Sequence, residues 1–218
     1  MYSRHDLVWL TPEGWDAALA AVPAATRAPL YQWRREDWPA IVRRPDPGAA
    51  AGMVAIGIAL PPAPGTGIKP RVALQTPRTG IARHASPIAL ALAAAAAPAH
   101  WRGALLTLST RAPACGLHTY GSLALQAITS LPYLTPASDI DLLLAPADRS
   151  QLDEGVELLS AHAASLPLDG EVVFPGGGAV AWREWRDAGT AGAKVLVKSM
   201  GAVRLAERAA LLATLAHA

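Results

Sequence analysis

The chain has 218 residues, 52% of them apolar, with a net charge of +2 and a single cysteine. That length allows one large domain or two small ones, and the near-neutral balance argues against a general nucleic-acid coat protein. The lone Cys115 cannot close an intramolecular disulfide and no signal-peptide pattern opens the chain, so a cytoplasmic protein with neither nucleic-acid nor membrane partners is expected.

Residues 7–10 form an apolar, strand-like run. Thr11-Pro12-Glu13 reads as an N-cap, a proline in the first helical position and an acid in the first turn. Trp15, Leu19 and Val22 follow at helical spacing, so a short amphipathic helix should end near Pro23. A basic and aromatic section comes next, with Trp33, Arg34, Arg35, Trp38, Arg43 and Arg44. Residues 53–60 (MVAIGIAL) have the apolar density of a buried strand, broken by Pro61-Pro62, and 71–74 offer a partner strand. Residues 1–80 are thus expected to form a small mixed or mostly β subdomain, followed by a linker over 80–86.

Ser86-Pro87 is expected to cap a helix running to Ala97. That run is too short to cross a bilayer, which needs about 20 apolar residues. A helix is expected over 101–108, a strand over 117–120, and a helix over 123–128 after Gly121-Ser122. A proline-containing loop then leads to an apolar strand over 140–144, expected to be buried on both faces. Asp148 and Gln151 make a capping-box-like start for a helix striped by Leu152, Val156, Leu159 and Ala163. Two strands are expected over 168–174 and 179–185 around Pro175-Gly-Gly-Gly178, and another over 195–198. Leu205, Ala209, Leu212 and Ala216 mark a C-terminal helix. The order over 81–218 favours an α+β (mixed α/β) domain, a sheet with helices packed on it.

The chemistry-bearing residues gather around Gly121-Ser122 and Asp139-x-Asp141. Residues i and i+2 on a strand share a face, and two carboxylates so held suit Mg²⁺, a hard ion often bound by one or two carboxylates plus substrate phosphates. A Gly-Ser turn at a helix start offers backbone N–H groups and a hydroxyl to a phosphate. Asp169 and Glu171 repeat the i, i+2 spacing, and either supplies a third acid; Asp169 is preferred. Each feature alone is weak, because strand-end acids are usually solvated and most Gly-Ser pairs are plain turns. Their order on strand, turn, helix and strand is what points to phosphoryl chemistry. Lys198, at a strand end, is a candidate for neutralising phosphates or a solvated lysine. Arg43 and Arg44 are candidates for binding phosphate or an acidic protein surface, or a solvated turn before Pro45. Trp182 and Trp185 are candidates for stacking on adenine, although on the expected strand they fall on opposite faces.

Gly-Ser, D-x-D and a later acidic strand together resemble the nucleotidyltransferase superfamily. The longer pattern YGSLALQ...T..LPYL...SDIDLL resembles the malonate decarboxylase holo-acyl-carrier-protein synthases, which are phosphoribosyl-dephospho-coenzyme A transferases. RHDLVWL at 4–10, VRR at 42–44, LDGEVVFPGGGAVAWREW at 168–185 and VLVKS at 195–199 extend the likeness over nearly the whole chain.

The resemblance implies a nucleotidyltransferase-like catalytic domain over 81–218. It implies transfer from 2′-(5-triphosphoribosyl)-3′-dephospho-CoA to a serine of the apo acyl-carrier subunit, with pyrophosphate released. Gly121 and Ser122 would hold the leaving phosphates, and Asp139 and Asp141 would bind Mg²⁺ with Asp169 or Glu171 completing the site. The first 80 residues would recognise the carrier or cover the donor. Two departures stand out: sixteen residues separate Ser122 from Asp139, and Leu125 stands where the family commonly has Trp. The added loop, 131–138, is expected to border the acceptor. Three alternatives are the analogous transferase for the citrate lyase carrier, an enzyme that adds AMP, and an inactive carrier-binding module. Retention of both Asp139 and Asp141 argues against the last.

Overall fold

The computed structural model describes residues 2–189 and 192–215. The chain divides into two compact units, Met1–Pro87 and Ile88–Ala218. The first contains β1 (Leu7–Leu10), α1 (Pro12–Ala20), α2 (Ala28–Arg35), β2 (Ala40–Val42), β3 (Met53–Ala59), β4 (Arg71–Pro77) and β5 (Ile81–Ala85). Its strands form an antiparallel sheet in the order β4-β3-β2-β1-β5. Thr11 caps α1 as its sequence implies, its Oγ1 accepting from the Gly14 N–H at 3.0 Å.

The basic and aromatic section begins as helix α2, which buries Leu30 and Trp33 three residues apart while Arg35 stays exposed. The stretch expected as a linker is strand β5, paired with β1 through Leu7↔Ala85 and Val8↔His84. Its residues 82–85 are exposed, so an edge strand here has no apolar alternation to betray it.

The second unit contains β6 (Ile88–Ala89), α3 (Leu90–Ala93), α4 (Ala99–Thr110), β7 (Leu117–Thr119), α5 (Gly121–Thr129), β8 (Ile140–Leu144) and α6 (Arg149–His162). It continues with β9 (Leu168–Val173), β10 (Ala179–Ala181), α7 (Trp182–Asp187), β11 (Lys194–Lys198), β12 (Val203–Glu207) and α8 (Arg208–Leu215). The seven strands lie in the order β12-β11-β10-β9-β8-β7-β6. Only β8 and β9 pair in parallel among the described strands. Their crossover is α6, whose N-cap Asp148 accepts from the Gln151 N–H at 2.8 Å. Leu142, Leu144, Leu152, Val172 and Phe174 share one buried core cluster. The helix and strand content of both units makes this an α+β fold. No helix among the described residues is long and apolar enough to cross a membrane.

The helix expected over 86–97 is instead strand β6, the short α3 and a 3₁₀ turn at 94–96. Ile88 and Ala89 pair with β7, and the uniform alanines that follow carry no boundary signal. The strand expected over 179–185 stops at Ala181 and becomes α7. Trp182 and Trp185 are then i, i+3 on a helix, 0% and 1% exposed, and Trp185 packs 4.8 Å from Phe174. Burial removes both rings from stacking on adenine. Leu205 lies in β12 rather than in the last helix, and Ala216 falls outside the described residues.

Close parallel pairing of β8 and β9 depends on Gly170. Its φ is +134°, and a Cβ there would stand 1.9 Å from the Leu142 carbonyl oxygen. The obstacle is backbone and cannot rotate away. Gly170→Ala should therefore cost about 3 kcal/mol or more, at or above the usual overpacking range. Chemical denaturation measures this, and a loss below about 1 kcal/mol would contradict the close approach.

Candidate active site

Register between β8 and β9 sets the site. Asp141 is the direct partner of Asp169, and Leu143 of Glu171. Partners in a ladder point to the same face, so Asp141 and Asp169 stand side by side with Glu171 two residues further on. Ile140, Leu142 and Leu144 point the other way, each at most 1% exposed. Leu143 is buried too, so the expected two-sided burial holds for the far end of β8. Asp141, nearer the start, is half-buried, and Asp139 is exposed just before the strand.

The start of α5 is built against Asp141. Gly121 has φ +65°, and a Cβ there would lie 2.1 Å from Asp141 Oδ2. Glycine is thus required twice, by its left-handed backbone and by the carboxylate that fills its side-chain position. The Asp141 carbonyl accepts from the Tyr120 N–H at 3.1 Å and from Thr119 Oγ1 at 2.8 Å. Both main chain and side chain of Asp141 therefore hold the turn into α5, where half-buried Ser122 follows. Tyr120, the N-cap, gives no side-chain hydrogen bond to the helix start, whose backbone N–H groups carry partial positive charge.

Glu171 and Asp169 have different surroundings, which their spacing could not reveal. Glu171 is 5% exposed and accepts from Lys198 Nζ at 3.1 Å. Lys198 comes from β11, with β10 lying between. Ala181 pairs with Glu171 and Ala179 with Lys198, and these short side chains leave room for the lysine to reach across. Asp169 remains exposed beside Asp141. Among the described residues no three His, Cys, Asp or Glu side chains converge closely enough to hold an ion by themselves.

Arg43 and Arg44 belong to the first unit and directly follow β2. Arg43 donates to both carboxylate oxygens of Asp46, at 2.8 and 2.6 Å, and to the Ile56 and Arg44 carbonyls. Its hydrogen bonds hold the Asp46 carboxyl below the usual carboxylate range. Elsewhere, burial pushes the Cys115 thiol up and raises the Tyr133 phenol above its ordinary range, so neither is a base near neutral pH. Sequence reasoning missed Gln126, whose carboxamide binds the 131–138 loop. Its place in the long motif, seven residues before Tyr133, was the available signal.

Residues 3–87 match the family described as phosphoribosyl-dephospho-CoA transferase MdcG N-terminal domain, and residues 89–209 match its C-terminal domain. A protein of Xanthomonas campestris pv. campestris named phosphoribosyl-dephospho-CoA transferase is 40% identical over 215 residues, covering 97% of each chain. Proteins of the same name from Bradyrhizobium diazoefficiens and Pseudomonas putida are 39% and 35% identical, covering 94% and 92% of this chain and 90% and 91% of their own. No solved structure matches the chain.

The Glu171–Lys198 pair makes a testable demand. Lys198→Met takes the cation from a buried carboxylate and should cost about 1–3 kcal/mol. Adding Glu171→Gln to that variant should recover part of the loss, because no buried charge then remains. Equal stability of Lys198→Met and wild type in urea would contradict the coupling.

Proposed function

The chain belongs to the phosphoribosyl-dephospho-CoA transferase family, and from that premise we propose a nucleotidyltransferase that loads a carrier protein. Its donor is 2′-(5-triphosphoribosyl)-3′-dephospho-CoA, and its acceptor is a serine of the apo acyl-carrier subunit of malonate decarboxylase. The observation that carries this reading is the placement of Asp141 beside Asp169 on one sheet face, with bare Gly121 against its carboxylate.

In the reaction the serine Oγ forms a bond to the α-phosphorus of the donor. The bond from that phosphorus to the oxygen bridging to the β-phosphate breaks, and pyrophosphate leaves with the electron pair. Asp139 or Asp141 takes the hydroxyl proton. Backbone N–H groups at the start of α5, with Ser122, hold the leaving phosphates, since a helix start favours negative charge. Half-exposed Asp141 and exposed Asp139 are hard oxygen donors, and with donor phosphates they make a set that fits Mg²⁺. When bound, that ion neutralises phosphate charge. Asp169 is the third carboxylate. Glu171 holds Lys198, whose partly exposed side chain lies on the same face and attracts the donor. Arg43 and Arg44 serve recognition of donor or carrier.

Mass spectrometry of apo carrier after incubation with the donor and Mg²⁺ tests the assignment. The malonate decarboxylase carrier should be modified faster than the citrate lyase carrier, and the reverse order would reassign the acceptor. Asp141→Asn should lower kcat/KM by roughly a hundredfold or more. Transfer at the wild-type rate would remove Asp141 from the mechanism.

A further inference from the structure

The segment joining α5 to Asp139 has neither helix nor strand, yet side chains tie it down along its length. At its start Thr129 Oγ1 donates to the Leu125 carbonyl at 2.7 Å and accepts from the Leu131 N–H at 3.1 Å. At its end the Ser138 Oγ accepts from the Thr135 N–H at 2.9 Å, and Ser138 is buried. Between them, Gln126 Oε1 accepts from two consecutive amides, Tyr133 and Leu134, both at 2.9 Å. Gln126 Nε2 donates to the Ala96 carbonyl at 2.7 Å. One carboxamide thus joins the loop, α5 and the turn after α3.

Gln126 is also four residues after Ser122, on the helix that begins at Gly121. Residues i and i+4 share a helix face. A single short helix therefore presents the Gly-Ser turn at its start and a loop anchor one turn later. Asp139 follows the anchored loop and Asp141 touches the helix start, so both ends of the D-x-D segment refer to α5.

We propose that Gln126 is a positioning residue of the carboxylate site: by holding the backbone at Tyr133 and Leu134 it fixes where the loop delivers Asp139. Gln126 does not touch reacting atoms. The bearing on metal affinity rests on the Mg²⁺ reading above, whereas the bearing on loop geometry does not. A side chain that orients a ligand from behind typically accounts for roughly ten- to hundredfold in metal affinity. Glutamine suits the task because its oxygen can serve two N–H groups while its NH₂ serves a carbonyl. Leucine fills similar space and offers neither.

The test compares wild type, Gln126→Leu, Gln126→Glu and Asp141→Asn as full chains. Backbone amide NMR reads the loop without any metal. In Gln126→Leu the Tyr133 and Leu134 amides should exchange faster, and the Asp139–Asp141 resonances should shift while those of β11 stay put. Gln126→Glu retains an oxygen for both amides but turns its second oxygen on the Ala96 carbonyl in place of the Nε2 donor, so it should displace 139–141 less than Gln126→Leu does. Titration with Mn²⁺, read from the free-ion signal by electron paramagnetic resonance, should be weakened by roughly ten- to hundredfold in Gln126→Leu. Changes confined to residues 133 and 134, with Mn²⁺ binding unaltered, would overturn the proposal. So would equal displacement of 139–141 in Gln126→Glu and Gln126→Leu, with Gln126→Ala taking the leucine variant's place if that one folds poorly. If Asp141→Asn binds Mn²⁺ as wild type does while Gln126→Leu still displaces 139–141, the metal reading falls and the positioning role stands.

Discussion

A carboxylate oxygen of Asp141 occupies the space where any side chain at position 121 would begin. The arrangement of the second unit around its acids depends on this approach. It demands glycine at the turn into α5 and brings the helix start to a carboxylate. It also leaves the neighbouring carboxylate, Asp169, exposed on the same face. Hydrogen bonds from Thr119 and Tyr120 to the Asp141 carbonyl reinforce it from the main chain.

The rest of the sheet serves that contact through small residues. Gly170 lets β9 close on β8 so that Asp169 comes abreast of Asp141. Ala179 and Ala181 keep β10 low enough for Lys198 to reach Glu171. On the opposite face Leu142 and Leu144 of β8 and Val172 of β9 join a core that contains Leu152 of α6. Burial of that apolar face supplies the main driving force, and the polar face is the one left for chemistry.

Much of the candidate site was legible in the chain because its parts lie close together. Gly121-Ser122 and Asp139-x-Asp141 frame one helix and one loop, and D-x-D at the start of an apolar strand places an acid where the core ends. The difference between Asp169 and Glu171 was not legible. Both stand on one face at i, i+2, and only cross-strand register and a lysine two strands away separate them. The tryptophans misled for a related reason: 179–185 reads as strand, but the chain turns helical at Trp182 and buries both rings. Strand β5 was hidden because it is an exposed edge. Gln126 was overlooked although it stands inside the long motif, because its partners are backbone groups of Ala96, Tyr133 and Leu134, which no side-chain pattern marks.

In the proposed mechanism a bare α-carbon at position 121 lets Asp141 and the start of α5 act on the same phosphates. Gly121→Ala tests it most directly, assayed by transfer to the apo carrier with thermal unfolding measured in parallel. A methyl group there must displace the carboxylate, and displacements of that size can cost about a hundredfold in rate. A loss of that order is expected in a protein whose sheet still unfolds cooperatively. Transfer by Gly121→Ala at the wild-type rate would contradict it.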